Sequence, residues 1–468
     1  MGPRTAISLA LVLLVALTAP AAAAVAPTAP TLFQTVRFVE EISHDGVAGP
    51  PGAEADTETE PDIAVDPNDP TVVVAVFQQG RFPDGGSVDP GFATSHDGGS
   101  TWVSGNLPGL TAAVGGPYGR ASDPVVAFGP DGAVYATTIA FDAGTCRSAV
   151  SVHRSDDGGL TWGTPAFPQG DDDCDVFNDK NWMVVDTSPT SPHLGRIYLA
   201  WDQVRGATTP HSEPIVLRYS DDRGSTWSGL IVASPAGAKA IGVLPMVEPN
   251  GDLVLVYDDF TSGSDRIVAQ ASHDGGLTFD PAVKVGRLRA ASEPGVRTGG
   301  LPTAAIDPVT GRVFVAWQDA RFRTDGHNDV VIARSSSEGA RWSRIKRVNP
   351  DLLAGGPSPF TPDVSAYDGV VHVAYRTRDD SGATPSRFVQ ERYIVSTDGG
   401  KSFGGERVVG PRTNLRYAAV SGKDHAFLGD YMGVAATAGA AHLVWCAARR
   451  PSGGGTYHQT TWSATILR

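Results

Sequence analysis

Cysteine and methionine are scarce in this 468-residue chain, at three and four residues. No stretch is rich in Lys and Arg, and the 3.6-residue apolar period of a helix is almost absent. Each shortage excludes something. Three Cys without a CxxC or Cys/His pattern exclude a disulfide-stapled miniprotein and a zinc-built fold. With 37 Lys+Arg against 51 Asp+Glu the formal net charge is −14, which excludes a nucleic-acid binder held by a basic surface. Beyond the N-terminus no apolar run reaches the ~20 residues that carry a helix across a bilayer, so no membrane span is expected. Abundance lies elsewhere: 55 Gly, 35 Pro, 17 Phe and nine Trp describe a turn-rich chain with ample aromatic material for a core.

The first residues read as an address. Arg4 supplies a positive charge, Ala6 to Leu17 is an apolar run broken only by Ser8, and Ala21 to Ala24 offers small residues for cleavage. The expectation is a signal peptide over residues 1–25, a short extended leader over 26–33, and a secreted protein, extracellular or associated with the cell surface. In an oxidising compartment Cys146 and Cys174, in two expected loops, are placed to form one disulfide worth ~3 kcal/mol. Cys446 sits in the apolar run Leu443 to Ala447 and is expected to be a buried thiol.

One pattern recurs six times: Ser95 to Trp102, Ser155 to Trp162, Ser220 to Trp227, Ser272 to Phe279, Ser335 to Trp342 and Ser396 to Phe403. The form is S-x-D-x-G-x-[TS]-[WF], with Ser337 standing in for Asp in the fifth copy. The Asp can accept backbone N–H bonds across a tight turn, and the Gly can take a positive φ. The aromatic can then fill the gap between neighbouring units. Such a box is a hairpin fastener, its Asp is no catalytic candidate, and the fifth turn should be looser. The closing aromatics lie 52 to 65 residues apart, the period of an architecture of stacked units.

Around each box, short apolar runs separated by turn residues give four antiparallel strands. Units open near Asp62, Asp123, Trp182, Pro245, Pro302, Pro362 and Asp430. The last is one strand short, while the run Gln34 to Ile42 belongs to no unit. Placing that run as the outer strand of the last unit closes a ring and removes two open edges. The expected fold is all-β: a β-propeller of four-stranded antiparallel blades, seven in number with six as the alternative, in one domain over residues 34–468. A closed ring hides its edges without a partner, so a monomer is expected.

The boxes, the segment Asn178 to Asp186 and the segment Phe427 to Gly433 resemble the sialidase superfamily. The chain after its first residues is similar to secreted bacterial proteins with BNR (Asp-box) repeats. The resemblance implies a propeller, but glycosidases, sorting receptors and assembly factors share the box, so it implies no single activity. The Phe-Arg-Ile-Pro motif of sialidases is absent, and Arg81-Phe82-Pro83 is only a partial echo of it. In sialidase-like propellers the ligand site lies on the face opposite the boxes, where the chain leads into each first strand and leaves each second strand.

Sialidase-type hydrolysis needs arginines that fork onto a sugar carboxylate, an Asp acid/base, and a Tyr nucleophile activated by a carboxylate. Carried onto that face, the pattern implies Asp123 or Asp62 as acid/base and Tyr431 as nucleophile, with Glu60 or Asp363 as its base partner. Arg81, Arg321 and Arg376 form the implied clamp, and Asp179 and Asp430 complete the substrate-binding rim. The implied activity is that of an exo-acting glycoside hydrolase on sialylated or related acidic glycans, with a glycan or glycoconjugate as its partner. Two alternatives stay open. One is a glycosidase using paired carboxylates on neutral glycans. The other is a non-catalytic glycan- or protein-binding propeller, whose Trp201, Trp317 and Trp445 stack on sugars instead of filling the core. No cofactor is expected, although Asp171, Asp172 and Asp173 offer hard oxygen ligands for Ca2+, the alternative being a solvated loop tied down by the disulfide.

Overall fold

The computed structural model describes residues 35–206, 212–378 and 385–468, so the expected signal peptide and leader lie outside the described residues. Alternating apolar runs do form strands. Among the described residues the only helical segments are two 3-10 turns, Ala112–Val114 and Leu415–Tyr417.

The strands form successive four-stranded antiparallel units. The first comprises Glu54–Val65, Val73–Arg81, Ser87–Ser95 and Val103–Asn106. Arg120–Phe128 opens the second, Val176–Val185 the third, Ala240–Val247 the fourth, Thr303–Ile306 the fifth and Ser358–Tyr367 the sixth. The C-terminal unit contains Gly433–Ala436, Ala440–Ala448 and Gln459–Leu467. Its outer strand, Thr35–Glu41, comes from the other end of the chain and pairs antiparallel with Gln459–Leu467, Thr35 opposite Leu467 and Glu41 opposite Trp462. The opening strands lie side by side in chain order, and Gly433–Ala436 in turn touches Glu54–Val65. Together they line a central cavity of about 340 Å³.

Apolar clusters join neighbouring units. Trp201 packs with Tyr135, Val150 and Met183, Trp317 with Val256, Ala269 and Val285, and Trp445 with Tyr393, Val409 and Met432. All three Trp are fully buried, so none of them is a surface on which a sugar can stack. They are core instead, each costing about 3–5 kcal/mol if truncated to Ala.

The boxes follow the third strands and behave as fasteners. Asp97 Oδ1 accepts the N–H groups of Ser100 and Thr101 at 3.0 and 2.8 Å, and Oδ2 accepts the Thr101 hydroxyl at 2.7 Å. In the third box the Thr226 hydroxyl and N–H bonds hold the Asp222 carboxyl down at about 2. In the fifth, Ser337 Oγ takes one backbone N–H, from Arg341 at 3.1 Å, so this turn is held by fewer bonds.

The opening strands of the first four units and of the sixth are longer than the sequence suggests, because each of these five runs through a bulge. Register slips between Thr59 and Asp62, Ser122 and Val125, Asp179 and Trp182, Ile241 and Leu244, and Phe360 and Asp363. In each bulge one residue has positive φ: Glu60 (52°), Asp123 (51°), Lys180 (41°), Gly242 (69°) and Thr361 (44°). Away from Gly this costs of order 1 kcal/mol, and the bulge re-aims the side chain. Pro61, Pro124 and Pro362 occupy the next position, a place in a strand that tolerates a missing N–H. Cys146 and Cys174 are disulfide-bonded, and Cys446 is a buried free thiol.

Candidate active site

The bulges of the first three units aim Glu60, Asp123 and Lys180 at one cavity of about 280 Å³. Arg81, Asp179, Arg297 and Asp430 also line it, against an apolar wall that includes Ile139, Phe141 and Phe177. Most of its charges are matched. Lys180 Nζ donates to Asp123 Oδ1 at 2.9 Å and stands 3.7 Å from the centroid of the Tyr431 ring. Burial pulls the Lys180 ammonium down, but Asp123, Glu60 and Asp430 outweigh it and raise its pKa. Arg297 forks onto Asp430, Nε to Oδ1 at 3.3 Å and Nη2 to Oδ2 at 2.5 Å.

Three groups stand apart. Glu60 Oε2 accepts from Gln78 Nε2 and its Oε1 accepts the Asp430 N–H at 3.4 Å, all neutral donors. Burial, and then the charges of Asp123 and Asp430, push its carboxyl up to about 8, so it retains its proton at neutral pH. Asp179 is pushed to about 7, first by burial and then by Asp123. Arg81 is a buried guanidinium whose Nη1 donates to Gln78 Oε1 at 3.3 Å and to the Gly86 carbonyl at 3.0 Å. Its Nε has no hydrogen-bond partner, and burial draws its pKa down. The Arg81 guanidinium lies 4.6 Å from the Phe427 ring centroid, and that of Arg297 lies 4.8 Å from the same ring.

The structure therefore brings Glu60, Arg81, Asp123, Asp179 and Asp430 together, with Tyr431 in an adjoining pocket that shares Lys180 and Asp430. The Tyr431 hydroxyl donates to the Pro124 carbonyl at 2.9 Å, and its ring meets Trp182 edge-on with centroids 5.6 Å apart. Burial, with Glu60 and Asp123 adding to it, holds the phenol well above its usual range. The expected hydrogen bond from Tyr431 to an activating carboxylate is not formed.

Asp62 lies farther in, lining the central cavity. Its Oδ2 accepts the Val126 N–H at 2.9 Å, which ties the first opening strand to the second. Asp363 does the same for Val434 at 2.6 Å, while its other oxygen accepts the Thr303 hydroxyl. Arg321 and Arg376 do not line the cavity. Arg321 is held on Asp319 at 2.7 and 2.8 Å, and Arg376 donates to the carbonyls of Leu428 and Gly429 at 2.9 and 3.3 Å. The second arginine at the cavity is Arg297, which sequence reasoning missed because its loop carries no repeat; its N–H bonds to the Ala426 carbonyl at 2.9 Å.

The acidic loop scatters its carboxylates. Asp171 accepts from Gln169 and Asn178 at 2.8 Å each, Asp172 faces Arg147 at 3.7 Å, and Asp173 caps the Asp175 N–H at 3.0 Å.

Residues 111–298 match the BNR repeat-like domain family. No curated protein matches the sequence. Among solved structures, the fold is similar to a polysaccharide lyase described as an ulvan lyase (TM-score 0.52, 12% identity, covering 90% of this chain and 95% of that one). It is also similar to a protein of unknown function from Dyadobacter fermentans (TM-score 0.50, 18% identity, 77% and 99% covered). A leech intramolecular trans-sialidase aligns with a TM-score of 0.46 at 14% identity over 72% of this chain and 67% of that one. Residues 111–298 thus match the BNR repeat-like family within an all-β scaffold of four-stranded antiparallel units.

Proposed function

We propose that the four-stranded units are the seven blades of a closed propeller sealed by the N-terminal strand. We further infer that the protein is a secreted, exo-acting glycoside hydrolase of sialylated or related acidic glycans. The contact of Gly433–Ala436 with Glu54–Val65 supports the ring, and residues 1–25 support secretion. That a protein of similar fold is a polysaccharide lyase supports action on a glycan.

One observation carries the substrate class. At a cavity where Lys180 is matched to Asp123 and Arg297 to Asp430, Arg81 is buried with neutral partners and an unpartnered Nε. A buried guanidinium in that state is completed by an anionic ligand through charge-assisted hydrogen bonds. Glu60, neutral at pH 7, is then the acid that protonates the leaving oxygen. Asp123, ion-paired with Lys180, is the second carboxylate at the anomeric carbon. The bond from the Tyr431 hydroxyl to Pro124 favours this carboxylate pair over a Tyr nucleophile.

The test compares fluorogenic sialosides and uronides with neutral arabinosides, on wild type and Arg81→Ala. Acidic substrates should be turned over, and loss of the charged contact should lower their kcat/KM by about 100-fold. Preference for neutral substrates, or an Arg81→Ala variant as active as wild type, would remove the acidic-glycan reading. Silence on every substrate together with binding on a glycan array would leave a non-catalytic binder.

A further inference from the structure

We propose that the junction of the fourth and fifth repeat boxes binds one divalent transition-metal ion of the Zn2+ class. Asp252 lies in the turn after the fourth opening strand, His273 in the fourth box and Glu338 in the fifth. Each offers one ligand atom, and these atoms all lie within 4.8 Å of one another. His273 Nδ1 is 2.9 Å from Asp252 Oδ2, and its Nε2 is 3.3 Å from Asp280 Oδ2. His273, Asp280 and Glu338 border a cavity of about 320 Å³ between the boxes.

A further group points to a cation. Glu248 is 4% exposed, its Oε1 is buried without a hydrogen-bond partner, and the charges it feels are those of Glu338 and Asp252. Asp252 and Asp280 thus face the imidazole with Glu338 beside them, and the only ion pairs that these carboxylates and Glu248 make among the described residues are those of Asp252 and Asp280 with His273. Asp252, Glu338 and the buried Glu248 lie together without a Lys or Arg ion pair, and such a group of shielded carboxylates is stabilised by a cation. The donor set selects which one. An imidazole with carboxylates suits Zn2+ and its neighbours in the first transition row, whereas Ca2+ takes six to eight oxygens.

The sequence departs from its own repeat at this place. In the fifth box Ser337 replaces the Asp, and Glu338 occupies the position held elsewhere by Gly98, Gly158, Arg223, Gly275 or Gly399. Glu338 has φ 53°, a backbone state that Gly adopts freely and Glu resists. The copy that has lost its fastening Asp is the one that carries a carboxylate in a strained position facing His273.

The experiment uses untagged, EDTA-treated full chain, titrated calorimetrically with Zn2+ and followed by thermal unfolding, with Ca2+ as comparison. One Zn2+ per chain and a Zn2+-dependent rise in Tm are expected, with no response to equal Ca2+. His273→Ala and Glu338→Gly should each weaken Zn2+ binding by roughly tenfold or more. Metal-free Tm checks the fold of both variants, and Glu338→Gly should raise it by relieving the strained φ. Absence of saturable Zn2+ binding, an equal response to Ca2+, or unchanged affinity in both variants would overturn the proposal.

Discussion

Replacing Asp62 by Asn keeps an oxygen for the Val126 N–H, which Asp62 Oδ2 accepts at 2.9 Å, and removes only the titration. Burial pushes the Asp62 carboxyl from 3.8 up to about 7; the Val126 N–H opposes this and Asp363 adds to it. A raised carboxyl pKa means that the folded state keeps a proton which the unfolded chain releases. The stabilisation by that proton is complete below pH 3.8 and is lost as the pH rises to about 7. At ~1.36 kcal/mol per pH unit, the loss amounts to roughly 4 kcal/mol. Urea unfolding across the range from mildly acidic to neutral pH measures it in wild type and Asp62→Asn. Wild type should lose that much more stability than the variant, and the variant should be the more stable at neutral pH with turnover within a few-fold of wild type. Parallel curves would refute the burial argument, and a correctly folded but inactive variant would return Asp62 to the mechanism.

Tyr431→Phe removes the bond to the Pro124 carbonyl and should cost about 1 kcal/mol of stability while leaving turnover within tenfold; a thousandfold loss of kcat would restore Tyr431 as nucleophile. Asp97→Ala deletes the bonds to Ser100 and Thr101 and should lower stability by about 1–2 kcal/mol in denaturant melts, with kcat/KM unchanged. Deleting residues 35–42 exposes the edge of Gln459–Leu467 and should lower Tm and promote aggregation, read by light scattering. An unaltered Tm would contradict a sealing role for that strand.

What the sequence discloses is what local bonds encode. The box was readable because Asp97 and Thr101 lie four residues apart, within one turn. The N-terminal strand was readable because the last unit lacked one. Five opening strands begin ahead of the expected Asp62, Asp123, Trp182, Pro245 and Pro362, because each passes through a bulge that breaks the alternation by which a strand is read. Those same bulges set Glu60 and Asp123 at the cavity, which is why residues chosen as strand beginnings converge there. Contacts between distant segments were illegible. Arg297 meets Asp430 across 133 residues, and the Tyr431 hydroxyl is turned by a carbonyl 307 residues away. Arg321 was misplaced for the opposite reason: its guanidinium is captured by Asp319, two residues before it.

The account rests on Arg81 as the receiver of a sugar carboxylate, and a crystal structure of the protein soaked with a sialic-acid or uronic-acid analogue tests that most directly. The carboxylate should lie within about 3.2 Å of the Arg81 guanidinium, with Glu60 facing the glycosidic oxygen. A sugar bound elsewhere, or bound in this cavity with its carboxylate turned away from Arg81, would contradict it.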